Sequence, residues 1–380
     1  MRFEEAYTGW QEKRLTQVEA ALLLGVCERS FRRHIERYER DGQEGLLDKR
    51  LMSLSNKRAP LEEVLGVVDL YRESYPGWNV KHFHSWYREQ QVGQRSYSWV
   101  KNQLQQAGVV ARAPARGKHR KKRERAPLPG MLVHQDASTH EWIPGCYWDL
   151  VVTMDDATGM HLSMFFCEQE GTFSSFHGLG QTIARFGLFS ALYTDRGSHY
   201  FYTPEAGGKV DKQTPTQVGR ALAQLGIQHI AAYSPQARGR SERVFGTHQA
   251  RLPKELAKAG ISDMQQANRY LETVYLPRHN AEFTVLAQHE GTAFVETLGV
   301  CLPDILCEHH ERVVGNDNCV SFAGLSLQLP RDATRPHYAK VKVRVHRYVD
   351  ETLAVFHGPR KLAEYDAQGQ YMQRALREAA

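Results

Sequence analysis

The chain has 380 residues, 41% of them hydrophobic and 24% charged, which is enough to bury a sizeable core and more length than one ordinary domain uses. No stretch approaches the roughly 18 to 20 uninterrupted apolar residues of a membrane span, and the first five residues lack an apolar signal core, so a cytoplasmic location is expected and a membrane partner is not. The net charge of +6 is unevenly spread: residues 1–130 carry 25 Lys and Arg against 16 Asp and Glu, and residues 131–380 carry 24 against 27, so the basic third points to a polyanion, nucleic acid ahead of membrane.

Residues 1–55 read as a helix-turn-helix. Thr16 with Glu19 three positions on is a capping box, opening a helix in which Val18, Ala21 and Leu22 share a face until Gly25 breaks it. The next helix, at 28–40, sets Phe31, Ile35 and Tyr38 on one side and Arg29, Arg32, Arg33 and Arg37 on the other. That is the layout of a basic recognition helix, although a bundle with a solvated charged face shows the same pattern. Residues 56–110 carry further helices at 61–73, 80–90 and 96–107, a second helix-turn-helix-like module that would lengthen the DNA site read by the first.

Residues 111–129 are a basic linker, with Arg112, Arg116, Lys118, Arg120, Lys121, Lys122, Arg123 and Arg125 set among Pro114, Pro127 and Pro129. Like charge at this density cannot pack into a core; it stays extended as a solvated tether or lies along phosphates.

From 130 to 295 the pattern becomes α/β. Strands are indicated at 132–136, 147–154 and 161–166, then a helix at 172–185, a short strand ending at Thr194, a helix at 216–225, a strand at 228–231 and a long helix from about Gly239. Three consecutive strands followed by alternating helix and strand is the order of a ribonuclease H-like sheet. Residues 296–380 change again. Residues 340–345 alternate between cationic and apolar, Leu325, Leu327 and Leu329 mark another strand, and Asp350 and Glu351 turn the chain before 353–356. A small β-barrel with a basic face is expected there, or a half-buried sheet whose lysines face water.

The six cysteines, Cys27, Cys146, Cys167, Cys301, Cys307 and Cys319, include no CxxC pair and suit a reducing compartment. Cys301, Cys307, His309 and His310 come nearest to a zinc pattern, but they lack ligands in tight pairs on each arm, so ordinary packing is expected of them.

Three acids stand where chemistry is expected. Asp136 ends the first strand; Asp195 ends the fourth, followed by Arg196, Gly197 and Ser198; Glu242 lies in the first turns of a helix opened by Ser234 and Pro235. If the first and fourth strands are neighbours, both aspartates leave one edge of the sheet and the helix lays Glu242 beside them. Converging carboxylates oppose one another's ionisation unless a cation is present. A pair of Mg²⁺ ions, with Mn²⁺ as a substitute, suits hard oxygen ligands and in-line phosphoryl transfer. Glu205 and Asp211 compete for the third place but sit in a loop containing Pro and Gly, while Asp149, Asp155 and Asp156 read as turn formers and solvated acids. Gln249, seven positions beyond Glu242, shares its helical face and, with Arg243 and Arg251, is placed to touch phosphate, unless these are ordinary surface charge.

Together, Asp136, the Asp195-Arg196-Gly197-Ser198 run, the Ser-Pro opening and the spacing of Gly239, Glu242 and Arg243 resemble the DDE transposase and retroviral-integrase superfamily, in particular bacterial insertion-sequence transposases with an integrase-type core. The resemblance covers about residues 133–251 closely and the flanking modules more loosely. It implies metal-binding roles for Asp136, Asp195 and Glu242, hydrolysis at transposon ends, and strand transfer of the freed 3′-hydroxyl into target DNA. It also implies a homo-oligomer assembled on DNA in a bacterial nucleoid. Asp195 and Glu242 are 47 positions apart, longer than the family's usual spacing, with residues 201–212 resembling an inserted loop. A DNA-binding regulator with an inactive core, and a ribonuclease H-like nuclease without strand transfer, are the alternatives.

Overall fold

The computed structural model describes residues 2–48, 58–90, 92–112, 114, 124–205, 208–211, 213–233, 235–331 and 335–372, with the side chains of 235–238 and 240 left aside. The linker residues Lys118, Arg120, Lys121, Lys122 and Arg123 lie outside the described residues. The chain divides into two compact units: residues 1–74 with 102–110, and residues 75–101 with 111–380. The second helical module expected at 56–110 is therefore shared between them.

The first unit is helical: α1 (Arg2–Gln11), α2 (Gln17–Leu23), α3 (Glu28–Asp41), a 3₁₀ turn (Gly42–Leu46) and α4 (Leu61–Ser74). The capping box forms as read, with the Glu19 amide donating to Thr16 Oγ1 at 3.3 Å and the Thr16 amide to Glu19 Oε2 at 2.7 Å. The buried side of α2 differs from the one the periodicity suggests. Ala20 and Ala21 are inside while Val18 and Leu22 are exposed, because small side chains let α1 and α3 approach closely. The periodicity did not announce α1, whose Phe3, Tyr7 and Trp10 close the cluster around Phe31 and Ile35. Arg29, Arg32, Arg33 and Arg37 are all exposed on the far side of α3.

In the second unit, α5 (Val80–Glu89) and the start of α6 (Tyr97–Gln106) precede a five-stranded sheet. Its strands are β1 (Val133–Ile143), β2 (Cys146–Asp155), β3 (His161–Cys167), β4 (Ala191–Thr194) and β5 (Gln228–Ala231), in the order β3-β2-β1-β4-β5. The first three pair antiparallel, and β4 and β5 join parallel to β1. This is the ribonuclease H-like arrangement expected. On one face α7 (Thr172–Phe186) and α8 (Gln217–Gln224) bury Phe176, Leu179, Val218 and Leu222 against Val133 and Leu192. On the other, α9 (Pro235–Lys258), α10 (Met264–Tyr270), a π-helical turn (Leu271–Tyr275) and α11 (Leu276–Phe283) cover Val152, Met154, Met164 and Phe166. β1 runs well past Asp136, because the hairpin closed at Gly145 (φ 81°) carries Trp142 into the core.

β3 is an edge strand, and two asparagines cover it. Asn268 of α10 accepts from the Phe166 amide at 2.6 Å and donates to its carbonyl at 2.9 Å; Asn280 of α11 does the same for His161 at 2.8 and 2.9 Å. At 100° per residue the steps from Asn268 to Asn280 would leave the two side chains about 120° apart. The wider π turn between them removes most of that angle, so both reach one strand.

The C-terminal part contains α12 (Leu302–Ile305) and six strands: β6 (Glu308–Val313), β7 (Cys319–Phe322), β8 (Leu325–Gln328), β9 (Lys342–Arg347), β10 (Leu353–His357) and β11 (Arg360–Tyr365). Val343 and Val345 face inward as the alternation required, against Val320, Leu327, Leu353 and Val355. The expected barrel does not close by hydrogen bonds. β11-β10-β9-β6 form one open sheet and β7-β8 a separate hairpin, because β7 and β8 pair only with each other among the described residues. Gln217 of α8 exchanges two bonds with the His309 backbone, at 2.8 and 2.9 Å, tying this part to the core.

Candidate active site

Asp136 and Asp195 are brought level by strand pairing. The parallel register matches Val133 with Leu192 and His134 with Tyr193, and the same offset carried two residues on sets Asp136 opposite Asp195. The His134 and Tyr193 rings touch at 5.1 Å between centroids, so the face both aspartates share by alternation is the one under α9. There Asp136, His134, Val152 and Met154 line a crevice closed by Ser241, Val244 and Phe245 of α9. Glu242 belongs to this same turn and is exposed. Seven residues along the helix, Gln249 Nε2 donates to Ser138 Oγ at 2.9 Å, so the stripe shared by Glu242 and Gln249 borders the strand that carries Asp136.

Local geometry explains the residues after Asp195. Its Oδ1 accepts the Gly197 amide at 2.8 Å, and a Cβ at 197 would stand 3.0 Å from His199 Cε1 and 3.1 Å from that same carboxylate oxygen, so glycine fits the turn. His199 Nε2 lies 3.6 Å from Glu170 Oε1. Tyr200 donates to Gln135 Oε1 at 3.1 Å and approaches Glu170 Oε1 at 3.4 Å. Burial first, then the charges of Glu170, Asp136 and Asp195, push the Tyr200 hydroxyl well above its ordinary 10. Of these carboxylates Glu170 is the one within 3.4 Å of the buried phenol. Sequence reasoning missed both Glu170 and Tyr200; the short acidic run Glu168-Gln169-Glu170 after β3 was the available signal.

The other candidates fall elsewhere. Asp155 and Asp156 are turn formers but are buried rather than solvated: Asp155 accepts the Gly130 and Thr158 amides, and Asp156 accepts the Ala126 amide and lies 2.8 Å from His134 Nε2. Asp149, also buried, accepts from Thr139 and from the Glu170 amide, where it holds the loop carrying Glu170. Asp211 caps its own turn through the Gln213 amide and Thr214. Arg243 is exposed beside Glu242, whereas Arg251 is buried and held bidentate by Glu282 at 2.7 and 3.2 Å. Cys307 and His309 do converge, but with His346 rather than with Cys301 and His310. Asp136, Asp195 and Glu242 do not form a group with all donor atoms within 4.8 Å, as two histidine-containing groups among the described residues do.

The winged helix-turn helix family matches residues 6–63. Over 353 residues the chain is 30% identical to the transposase y4bF of Sinorhizobium fredii (strain NBRC 101917 / NGR234), covering 90% of this chain and 75% of that relative. Over 161 residues it is 35% identical to the transposase for insertion sequence IS1202 of Streptococcus pneumoniae, covering 42% of this chain and 34% of that one. Among solved structures, a simian T-cell lymphotropic virus intasome in complex with PP2A regulatory subunit B56 gamma aligns with 73% of this chain and 96% of its own at 15% identity and a TM-score of 0.34. The HTLV-2 integrase catalytic core domain in complex with magnesium aligns with 39% and 89% at 18% identity and a TM-score of 0.29; at such scores neither likeness bears on chemistry. No described helix is long and apolar enough to cross a membrane. The extent of the match to y4bF settles the kinship: this chain belongs to the insertion-sequence transposases, with a DNA-binding helix-turn-helix at its N-terminal end.

Proposed function

We propose that this transposase hydrolyses one phosphodiester at each transposon end and then uses the freed 3′-hydroxyl to attack target DNA, with Asp136, Asp195 and Glu242 as the catalytic acids. The observation that carries the reading is the parallel pairing of β1, which contains Asp136, with β4, which Asp195 directly follows, together with the α9 turn containing Glu242 that closes the crevice at Asp136. An oxygen-only donor set of this kind fits hard divalent cations. Mg²⁺, as a pair of ions with Mn²⁺ as the substitute, would when bound supply Lewis acidity at the attacking and leaving oxygens.

The chain's own residues orient the DNA. Gln249, on the α9 stripe it shares with Glu242, and the exposed Arg243 next to Glu242 steady a phosphate beside the scissile bond. Arg29, Arg32, Arg33 and Arg37 present a cationic face to the transposon end, and Lys118, Arg120, Lys121, Lys122 and Arg123 add backbone grip. Joining two ends in one event calls for a homo-oligomer on DNA.

The test is a labelled terminal-repeat duplex incubated with the full chain, Mg²⁺ and a plasmid. Nicking followed by joining is expected, and Asp136→Asn or Asp195→Asn should remove both; undiminished joining by either variant would refute the assignment. Nicking without joining would identify a nuclease instead.

A further inference from the structure

Apart from Asp136 and Asp195, three imidazoles meet inside the second unit. His161 opens β3, His248 lies midway along α9 and His279 lies in α11; all are buried, and one ligand-capable atom from each falls within 4.8 Å of the others. His161 Nε2 and His248 Nε2 are 2.9 Å apart. Their outer nitrogens are held by protein oxygens: His248 Nδ1 by the Tyr275 hydroxyl at 2.9 Å, and His161 Nδ1 by the Gly159 carbonyl at 3.3 Å. Outer bonds of this kind fix ring orientation and turn both inner lone pairs toward one point.

A chain of neutral hydrogen bonds would satisfy two of the rings. Tyr275 would donate to His248 Nδ1, His248 Nε2 to His161 Nε2, and His161 Nδ1 to the Gly159 carbonyl. That chain leaves out His279, whose Nδ1 is buried with no hydrogen-bond partner. A buried polar atom left without a partner is destabilising. All three rings are buried, and a neutral imidazole is the form that ligates metal. A cavity lined by His161, His279, Asp155 and Thr247 adjoins the cluster and gives a fourth ligand room to enter.

We propose that His161, His248 and His279 bind one divalent transition-metal ion of the zinc class, with water from the adjoining cavity as the fourth ligand. Imidazole nitrogen selects such ions, whereas the carboxylates of Asp136 and Asp195 select magnesium-like ones, so the two sites differ in chemistry and place. The ion ties α9 and α11 to β3. Since α9 also carries Glu242 and Gln249, it is a positioning device rather than a catalytic centre.

The experiment uses the full chain, stripped with a chelator and then given Co²⁺ or Zn²⁺ with excess metal removed. The expected result is about one equivalent retained per chain, a four-coordinate Co²⁺ visible spectrum, X-ray absorption showing nitrogen and oxygen ligands with imidazole scattering and no sulfur, and an unfolding midpoint that rises with free zinc. Cys307→Ser should leave all of this intact, while His279→Gln should lose the metal. Failure of the wild-type chain to retain the ion, sulfur in its ligand shell, or full retention by His279→Gln would each overturn the proposal. Should His279→Gln fail to fold, the wild-type stoichiometry and ligand shell decide.

Discussion

Gln249 Nε2 donates to Ser138 Oγ across 2.9 Å, and this bond joins the helical stripe that carries Glu242 to the strand that carries Asp136. It adds to the packing of Phe245, Leu252 and Leu256 that holds α9 on the sheet. Gln249→Leu keeps the bulk and removes the bond. It should cost about 1 kcal/mol of stability. Cleavage of a terminal-repeat duplex should fall about 10- to 100-fold, because small misplacements near reacting atoms are expensive. Single-turnover cleavage at saturating DNA checks this; an unchanged rate would show that the bond does not position Glu242.

Gly178 of α7 packs against the side chain that neighbours Asp136. A Cβ there would stand 2.6 Å from Gln135 Nε2 and 3.1 Å from Thr153 Oγ1. Gln135 cannot yield easily, being buried and bonded to Thr153, the Ser175 carbonyl and Tyr200. Gly178→Ala should therefore destabilise the core by about 1 to 3 kcal/mol. Urea unfolding is the measurement, and an unshifted midpoint would contradict the packing described.

His82 and Glu255 make the second unit acid-sensitive. His82 Nε2 lies 2.6 Å from Glu255 Oε1, and both side chains are buried. Burial lowers His82 below its ordinary 6.5 despite the carboxylate beside it. Burial alone would raise Glu255, but the bonds and charges of His82 and Arg278 outweigh it and bring the carboxyl below its usual range. Both folded values lie below the unfolded ones, so each contributes stability at neutral pH. The share from His82 is lost as the pH falls below about 6.5, where the unfolded imidazole takes up a proton first; that from Glu255 is lost further down, through the carboxylate range. Unfolding midpoints should drop from pH 7.5 to pH 5, and less steeply in His82→Asn. Equal slopes for both proteins would refute this.

Arg32→Ala and Arg33→Ala, on the exposed side of α3, should weaken binding to a terminal-repeat duplex with little change in stability. For every phosphate that no longer has a cation beside it, the slope of log K against log salt should become shallower by about 1. Binding isotherms at several salt concentrations test it, and an unaltered slope would remove these arginines from the interface.

The sheet was legible because β2 and β3 are rich in Trp, Leu, Val, Met and Phe and because glycines and prolines punctuate the elements around them. Asp195 follows a short strand, β4, whereas Asp136 lies inside β1, whose continuation to Ile143 sequence reasoning did not foresee. Less was readable where packing, not pattern, decides. The aromatic residues of α1 are interleaved with Glu4, Glu5 and Thr8, and their burial depends on Phe31 far along the chain. Glu170 reaches Tyr200 only through the fold, and His161, His248 and His279 come from three separated elements with no spacing that a linear reading could detect. The barrel was over-read: alternation identifies a strand's two faces but says nothing about which edges find partners.

The asparagines along β3 bear on how copies of this chain can associate. An uncovered outer strand offers amides and carbonyls that a second molecule's strand can zip onto, a common route to aggregation. Asn268 and Asn280 already occupy those groups at two points, so strand addition at this rim would first have to break four good bonds. Strand-to-strand pairing between copies is therefore disfavoured at this rim of the sheet.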